Sequence, residues 1–262
     1  NYQTQSINAG HNAFGGILDK ITVNNCRPID LPQNLNQPTP DNIVEVTKLA
    51  DGIWLLGGAS HNSVAVEFPK YVVVVEAPLN EERSLSVIDS VSKLIPGKPI
   101  RFLVNTHQHH DHIGGLRTYM HIGATIITHW KNYEFYTRDV LNYAPRSMSP
   151  DMLSMWPPTE LAEGYQYETM RENYWLSSNT RSIHLSYVHP LKHVEGMVVA
   201  YLPTEKILIQ ADLFNTLEST PSESAAQLKK HVQVLGLEVE SIVPIHGAPV
   251  KWEDFVHWLN SK

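Results

Sequence analysis

An apolar run, Ile100–Val104, leads straight into Asn105-Thr106-His107-Gln108-His109-His110-Asp111-His112-Ile113-Gly114-Gly115. Of the 14 histidines in the chain, five fall between Thr106 and His121. A buried strand that ends in imidazoles and a carboxylate, and then turns into a helix, places polar groups where open α/β sheets bind ligands. His107 and His109 stand two apart, a spacing that can bring both rings towards one ion along an extended backbone. Asp111 and His112 follow on the turn, within reach of a second ion beside the first. Imidazole nitrogens and carboxylate oxygens are the donors that zinc and similar borderline cations accept. Gly114 and Gly115 carry no Cβ and let the start of the helix come close. A solvated histidine face is the competing reading. Four donor residues within six positions, directly after an apolar strand, favour ligation.

The flanking pattern bounds the fold class. Residues 43–49, 53–56, 63–68 and 71–76 read as a meander of four short strands separated by turn residues such as Asp51-Gly52 and Gly57-Gly58. Tyr71-Val72-Val73-Val74-Val75 does not alternate, as expected of a strand covered on both faces. Leu85, Ile88, Val91 and Leu94 recur at threes and predict a helix that stops at Pro96-Gly97. Strands at 100–104 and 124–128 then alternate with helices at 115–122 and 130–141. A strand pair (171–176 and 182–188) and a hairpin (197–202 and 206–210) follow. After them come a helix on Ala225, Leu228, Val232 and Leu235, a strand at 242–245, and a last helix on Trp252, Phe255, Val256 and Leu259. Strands followed by helices occur twice, which predicts a two-sheet core with helices outside.

Two segments depart from this rhythm. Residues 1–42, rich in Asn, Gln, Pro and Gly, read as an irregular N-terminal arm or the remnant of an upstream region, ahead of a main domain at 43–262. The alternative is an ordered strap held down by one short helix on Phe14, Ile17, Leu18 and Ile21. Residues 142–170 hold four prolines and no convincing period, and are expected to form an active-site lid, with an ordered excursion or a disordered insert as the alternatives.

Composition excludes some function classes. The 262 residues carry 20 basic and 27 acidic side chains, a formal net charge of -7, and no basic run for gripping nucleic acid. No apolar run reaches the roughly 18 residues of a membrane-spanning helix. The single cysteine, Cys26, forms no intrachain disulfide and excludes a zinc site built from several thiolates. The chain starts at Asn1 without a methionine. Removal of a signal peptide would make it periplasmic or secreted, and otherwise a cytoplasmic location is expected.

Further donors stand beside the ends of later strands. His193 precedes Gly196 and the strand at 197–202, Asp212 follows the strand at 206–210, and His246 follows the strand at 242–245. Taken singly, Asp212 is a turn or cap residue and each histidine a hydrogen-bonded loop side chain. Beside the histidine turn, ligation becomes the better reading of all three.

At these residues the chain resembles the metallo-β-lactamase fold superfamily, whose signature His-x-His-x-Asp-His followed by glycines stands here as His107-Gln108-His109-His110-Asp111-His112. The resemblance covers roughly residues 44–259 and implies an αββα four-layer sandwich. It implies that His107, His109 and His193 hold one metal, that Asp111, His112 and His246 hold the other, and that Asp212 bridges both. Glu76 matches a position, usually aspartate, that supports the histidine turn from behind. The best-known β-lactamase subclass supplies a cysteine to its second metal, and none stands near here. Ala211-Asp212-Leu213-Phe214 looks more like the bridging aspartate of glyoxalase II, lactonases and many phosphodiesterases. His109 argues against the flavodiiron oxygen reductases, which carry glutamate there. Persulfide dioxygenases use part of the same constellation for a single iron.

The cofactors so implied are two Zn2+ ions or related transition metals. Two adjacent cations make hydroxide available near neutral pH, with Asp111 placed to orient that nucleophile or carry its proton. The expected reaction is hydrolysis of a small-molecule substrate, an ester, lactone, thioester or β-lactam. The alternatives are a phosphodiesterase or nuclease, and a noncatalytic metal-binding domain. Candidate substrate contacts are Lys192, Arg146, Trp156 and Tyr143. His110, His184 and His189 read as pocket walls or structural histidines.

Overall fold

A computed structural model describes residues 6–10, 18–22, 43–58, 60–142, 150–156 and 165–261. The chain divides into two compact units, Asn1–Gln37 and Pro38–Lys262. In the first, β1 (Ser6–Gly10) pairs antiparallel with β2 (Leu18–Thr22). Leu18 and Ile21 therefore lie in a strand rather than on the short helix their spacing suggested, because β1 satisfies the backbone of this segment laterally. Phe14, Ile17 and the proline-rich part of the arm lie outside the described residues.

The second unit is built on two mixed sheets. The first runs β3 (Glu45–Ala50), β4 (Ile53–Gly57), β5 (Ser63–Glu67), β6 (Val72–Val75), β7 (Ile100–Val104), β8 (Thr125–His129) and β9 (Tyr167–Met170), in that spatial order. Its first half is an antiparallel meander, whereas β6 to β9 are parallel. The second sheet runs β10 (Asn173–Ser177), β11 (Ser182–Tyr187), β12 (Val198–Leu202), β13 (Ile207–Gln210), β14 (Ser241–Pro244) and β15 (Val250–Lys251). Only β13 and β14 are parallel in it.

Side-chain alternation explains the layers. In β6 all four valines are buried, with Val73 and Val75 in the core between the sheets and Val72 and Val74 in a second core under helices. The inter-sheet core joins these to Ile183, Leu185, Leu202, Ile209 and Val243 of the second sheet. Helices α1 (Glu81–Leu94) and α3 (Leu116–His121) cover the outer face of the first sheet. Helices α6 (Glu223–Val234) and α7 (Trp252–Asn260) cover that of the second. The order helix, sheet, sheet, helix is the αββα sandwich. Among the described residues no helix is long and apolar enough to cross a membrane.

Local chemistry sets the helix ends. Asn80 caps α1 by accepting from the Arg83 amide at 2.8 Å, and Glu81 and Glu82 favour its N-terminal dipole. The buried stripe of α1 is Arg83, Ser84, Val87 and Val91, while Leu85 is 37% exposed. A repeat of three drifts away from the 3.6-residue helix, so the apolar set chosen from sequence sits partly off the core face. The helix expected at 130–141 is instead a 3-10 turn (Trp130–Asn132), a single α turn (Tyr133–Phe135, α4) and a π turn (Tyr136–Val140). These turns bring Tyr136 inwards. In 142–170 the described residues include a short helix, α5 (Met152–Met155), and the strand β9. Asp151 beside α5 is bound by Arg117 of α3, and Leu153 is fully buried in the outer core.

Candidate metal centre

Strand ends and the loops beside them supply every group of the centre. Glu76 closes β6, and His107 and His109 follow β7. Asp111 and His112 lie in the single turn α2 (His110–Ile113). His193 sits between β11 and β12, Asp212 follows β13, and His246 follows β14. The two sheets meet here through backbone hydrogen bonds, Val198 N to Thr106 O and Asn62 N to Ile245 O, each 2.8 Å. A Cβ on Gly114 would overlap the Leu79 carbonyl, so only glycine lets α2 seat against the β6–α1 loop.

The donors form two neighbouring sets. One ligand atom each from His107, His109, His193 and Asp212 lie within 4.8 Å of one another, and so do those of His61, Asp111, His112 and His246. Asp212 faces both. Its Oδ2 lies 3.2 Å from His107 Nε2 and 3.0 Å from His193 Nε2, while Oδ1 lies 3.0 Å from His246 Nε2 and 3.4 Å from His112 Nε2. Its backbone takes the left-handed φ of 62°, rare outside glycine and Asn/Asp turns, and the buried Gln210 holds that turn by accepting from the Leu213 and Phe214 amides.

The donor set fits cations. His107 Nε2 and His109 Nδ1 are 3.0 Å apart, and His112 Nε2 and His246 Nε2 are 3.1 Å apart. Two ligands at about 2.0–2.1 Å on a tetrahedral ion stand roughly 3.3 Å from each other, close to these separations. Six imidazoles and two carboxylates on two adjoining points are borderline-metal chemistry.

Behind the donors a buried network fixes their orientation. Glu76 Oε2 lies 2.5 Å from His112 Nδ1, and Oε1 accepts from the Thr106 amide at 2.6 Å and from Asn105 Nδ2 at 3.1 Å. Tyr136 donates to Asn105 Oδ1 at 2.5 Å, which is what the π turn achieves. Thr106 Oγ1 meets His107 Nδ1 at 3.0 Å, leaving Nε2 for the centre. Asn132 donates to Gln108 Oε1 and to the Glu195 carbonyl, tying the histidine turn to the loop of His193.

Charge follows from this packing. Burial opposes protonation of His112, but the Glu76 and Asp212 carboxylates outweigh it and lift its pKa to about 10. Burial likewise opposes ionisation of Asp212, and hydrogen bonds from His107, His112 and His246 hold it far below the usual carboxylate range. His107, His109 and His61 are lowered, in each case chiefly by burial. His107, His109 and His61 are thereby biased to the neutral form that ligates metals, while His112 would give up its proton to a cation bound there.

Residues 56–249 match the metallo-beta-lactamase superfamily. The chain belongs to that superfamily. Superfamily members of known structure share its fold. The metallo-beta-lactamase from Pontibacter korlensis superposes with a TM-score of 0.64 at 17% identity, covering 83% of this chain and 97% of that one. The metallo-beta-lactamase FIM-1 from Pseudomonas aeruginosa in its mono-zinc form gives 0.56 at 18% identity, covering 82% and 93%. A curated relative, the linear primary-alkylsulfatase of a Pseudomonas strain, is 21% identical over 238 residues, which cover 73% of this chain. The chain spans 42% of that relative's length. Within that superfamily fold the chain carries two neighbouring clusters of metal-ligand type.

On this superfamily fold the structure brings the seven residues expected as ligands into two neighbouring groups, His107, His109, His193 and Asp212 in one, and Asp111, His112 and His246 together with His61 in the other. Of the four candidate substrate contacts, two lie among the described residues. Lys192 is engaged in an exposed ion pair with Glu223 at 2.7 Å, and Trp156 is 60% exposed after α5. Tyr143 and Arg146 lie outside the described residues. His110 is exposed, His184 is hydrogen-bonded to Asn173 at 2.7 Å, and His189 lies 3.3 Å from Glu172. Sequence reasoning missed His61, which is 5% exposed with Nε2 3.3 Å from Asp111 Oδ2. The only local signal was an imidazole in a turn between two apolar strands.

Proposed function

We propose that this protein is a dinuclear zinc hydrolase acting on a small ester, lactone, thioester or β-lactam. The observation that carries the reading is Asp212, whose two carboxylate oxygens each face a separate cluster of imidazoles. In this reading His107, His109 and His193 hold one ion, Asp111, His112 and His246 hold the other, and Asp212 is shared. Among the described residues both sets consist of nitrogen and oxygen donors, which zinc accepts. The mono-zinc form of FIM-1 supports zinc as the metal.

When bound, the ions supply Lewis acidity and an activated water near neutral pH. The chain supplies position and proton handling. Asp111, half-buried and with its pKa lowered, is ionised at neutral pH and can orient the attacking water or carry its proton through the carboxylate oxygen that does not face the ion. Glu76 keeps Nδ1 of His112 occupied, so that Nε2 faces the centre.

A sulfate ester is the second reading, favoured by the alkylsulfatase relative. A screen of zinc-loaded protein against β-lactams, lactones, hydroxyacyl thioesters, phosphodiesters and alkyl sulfates tests both. Turnover of a carbonyl substrate, lost on chelation and restored by zinc, is the expected result. Turnover confined to alkyl sulfates would establish the second reading, and turnover confined to phosphodiesters would overturn both.

A further inference from the structure

His61 lies outside the ligand set that the sequence signature supplies, yet it is buried against the second cluster. We propose that His61 is a protein ligand of the second metal through Nε2, so that this ion is held by three imidazoles, Asp111 and the shared Asp212. The inference rests on the dinuclear reading above and deepens it.

Geometry separates ligation from a simple hydrogen bond. His61 Nε2 stands 3.3 Å from Asp111 Oδ2. That is long for a charge-assisted N–H···O contact, which runs about 2.7–2.9 Å. It falls within the about 3.0–3.6 Å that separates neighbouring donors about 2.0–2.2 Å from one five-coordinate ion. The ring of His61 lies 3.9 Å from that of His246 and 5.3 Å from that of His112, crossing them at 62° and 66°. Its Nε2 falls within the same 4.8 Å group as the ligand atoms of Asp111, His112 and His246.

The remaining contacts leave Nε2 to the metal. Ser60 Oγ meets Nδ1 at 2.7 Å. With that hydroxyl as acceptor, Nδ1 carries the proton and Nε2 the lone pair, as for other metal-binding histidines with an outer partner. The loop itself is built to hold the ring. Arg83, fully buried, donates to the carbonyls of Ile43, Leu56, Gly57 and His61. The neighbouring Asn62 donates to the carbonyls of Pro244 at 3.0 Å and Gly247 at 2.7 Å, so His61 is fastened to the segment that carries His246. A rigid anchor spanning two sheets is what preorganises a ligand. The second ion then has five protein donors and the first has four, so the first keeps the freer coordination shell.

Cobalt(II) titration of the full chain, followed by visible absorption and by chelator competition, tests the assignment. Wild type is expected to bind two equivalents. In both His61→Ala and His61→Gln, the first equivalent should keep its affinity. The second should weaken at least about tenfold, with a changed visible band intensity. Wild type binding two equivalents while the folded variants keep the second one's affinity and spectrum would overturn the role of His61 alone. Weakened affinity with an unchanged spectrum would also overturn it, since His61 would then act only through Asp111. Wild type binding fewer than two would overturn the dinuclear reading and the proposal with it. A measurement on wild type needs no variant. The paramagnetically shifted imidazole N–H protons of the di-cobalt protein number six if His61 ligates, and five overturn it.

Discussion

Glu76 and His112, both fully buried, meet with Oε2 of the carboxylate 2.5 Å from Nδ1 of the ring. The superfamily resemblance places an aspartate there, and Glu76 itself takes a left-handed backbone, φ 74°. The same carboxylate accepts from the Thr106 amide and from Asn105, so one group orients a ring and braces the turn that carries it. Glu76→Gln keeps the shape and removes the charge. Its affinity for the second metal should fall about 10–100-fold, the usual cost of losing an outer partner of a ligating histidine. Chelator competition against wild type measures it, and equal affinities would remove Glu76 from the metal-supporting network.

Asp212→Ala and His110→Ala are expected to diverge sharply. The first removes both oxygens that face the two clusters, so binding of two ions and hydrolysis should drop by more than the about 100-fold upper end for an outer partner. The second alters a side chain that is 97% exposed, and activity should stay within about twofold. Metal analysis and steady-state kinetics on both variants decide it. Matching losses would contradict the allocation of ligands.

Legibility in the sequence followed contiguity. The histidine turn and the donors Asp212 and His246 were readable because each stands just beyond an apolar strand of the inter-sheet core. His61 was not, since nothing local distinguishes it; only the hydrogen bonds of Asn62 to the 244–247 segment bring it to His246. The strand β9 escaped because Glu168 and Thr169 are exposed and its pairing with β8 is non-local. The helix at 130–141 broke where Tyr136 turns inwards to Asn105, a tertiary demand that overrides helical periodicity.

Acid should weaken the fold through two histidines outside the metal centre. Burial pushes His129, stacked on Tyr187, and His231, hydrogen-bonded to Ser186 at 2.8 Å, down to about 4. Between the ordinary histidine value of about 6.5 and about 4, the unfolded chain binds protons that the folded chain refuses. Stability from these sites is therefore complete above about 6.5, falls as pH drops, and levels off below about 4. Urea midpoints of metal-free protein at pH 7, 5.5 and 4.5 should decline in that order, and His231→Gln should shallow the decline. A flat series would contradict the sign.

Breaking the Arg117–Asp151 contact separates anchoring from catalysis. The guanidinium of Arg117 also reaches the Asn142 carbonyl and Ser154 Oγ, so one side chain secures both described ends of the 142–156 excursion. Burial opposes ionisation of Asp151, and the hydrogen bonds from Arg117 and Ser154 together with the Arg117 charge outweigh it, holding its pKa at about 2. That stabilisation is present above the ordinary value of about 3.8 and lost as pH falls through about 2. Arg117→Ala should cost about 2–3 kcal/mol at neutral pH, read as a lowered urea midpoint. Metal stoichiometry should remain at the wild-type value. Unchanged stability would show that the pair holds nothing.

The last prediction concerns substrate selection by the segment between β8 and β9. A long connection over a rigid scaffold commonly defines binding, and we propose that role for residues 142–170. Removing all of it would delete α5, with its buried Leu153, and β9, so the informative variant shortens only residues 157–164. Both metals should stay bound, because no ligand candidate comes from the described residues of this stretch. The KM for the best substrate should rise, and relative rates across substrates should shift more than activity on a small activated ester does. Arg117→Ala serves as the comparison, since it loosens the anchor without shortening the chain. Kinetics and thermal melts on the two variants distinguish the roles. Lost cooperativity in the shortened protein would make the segment a structural excursion, and unchanged selectivity with intact folding would rule the lid out.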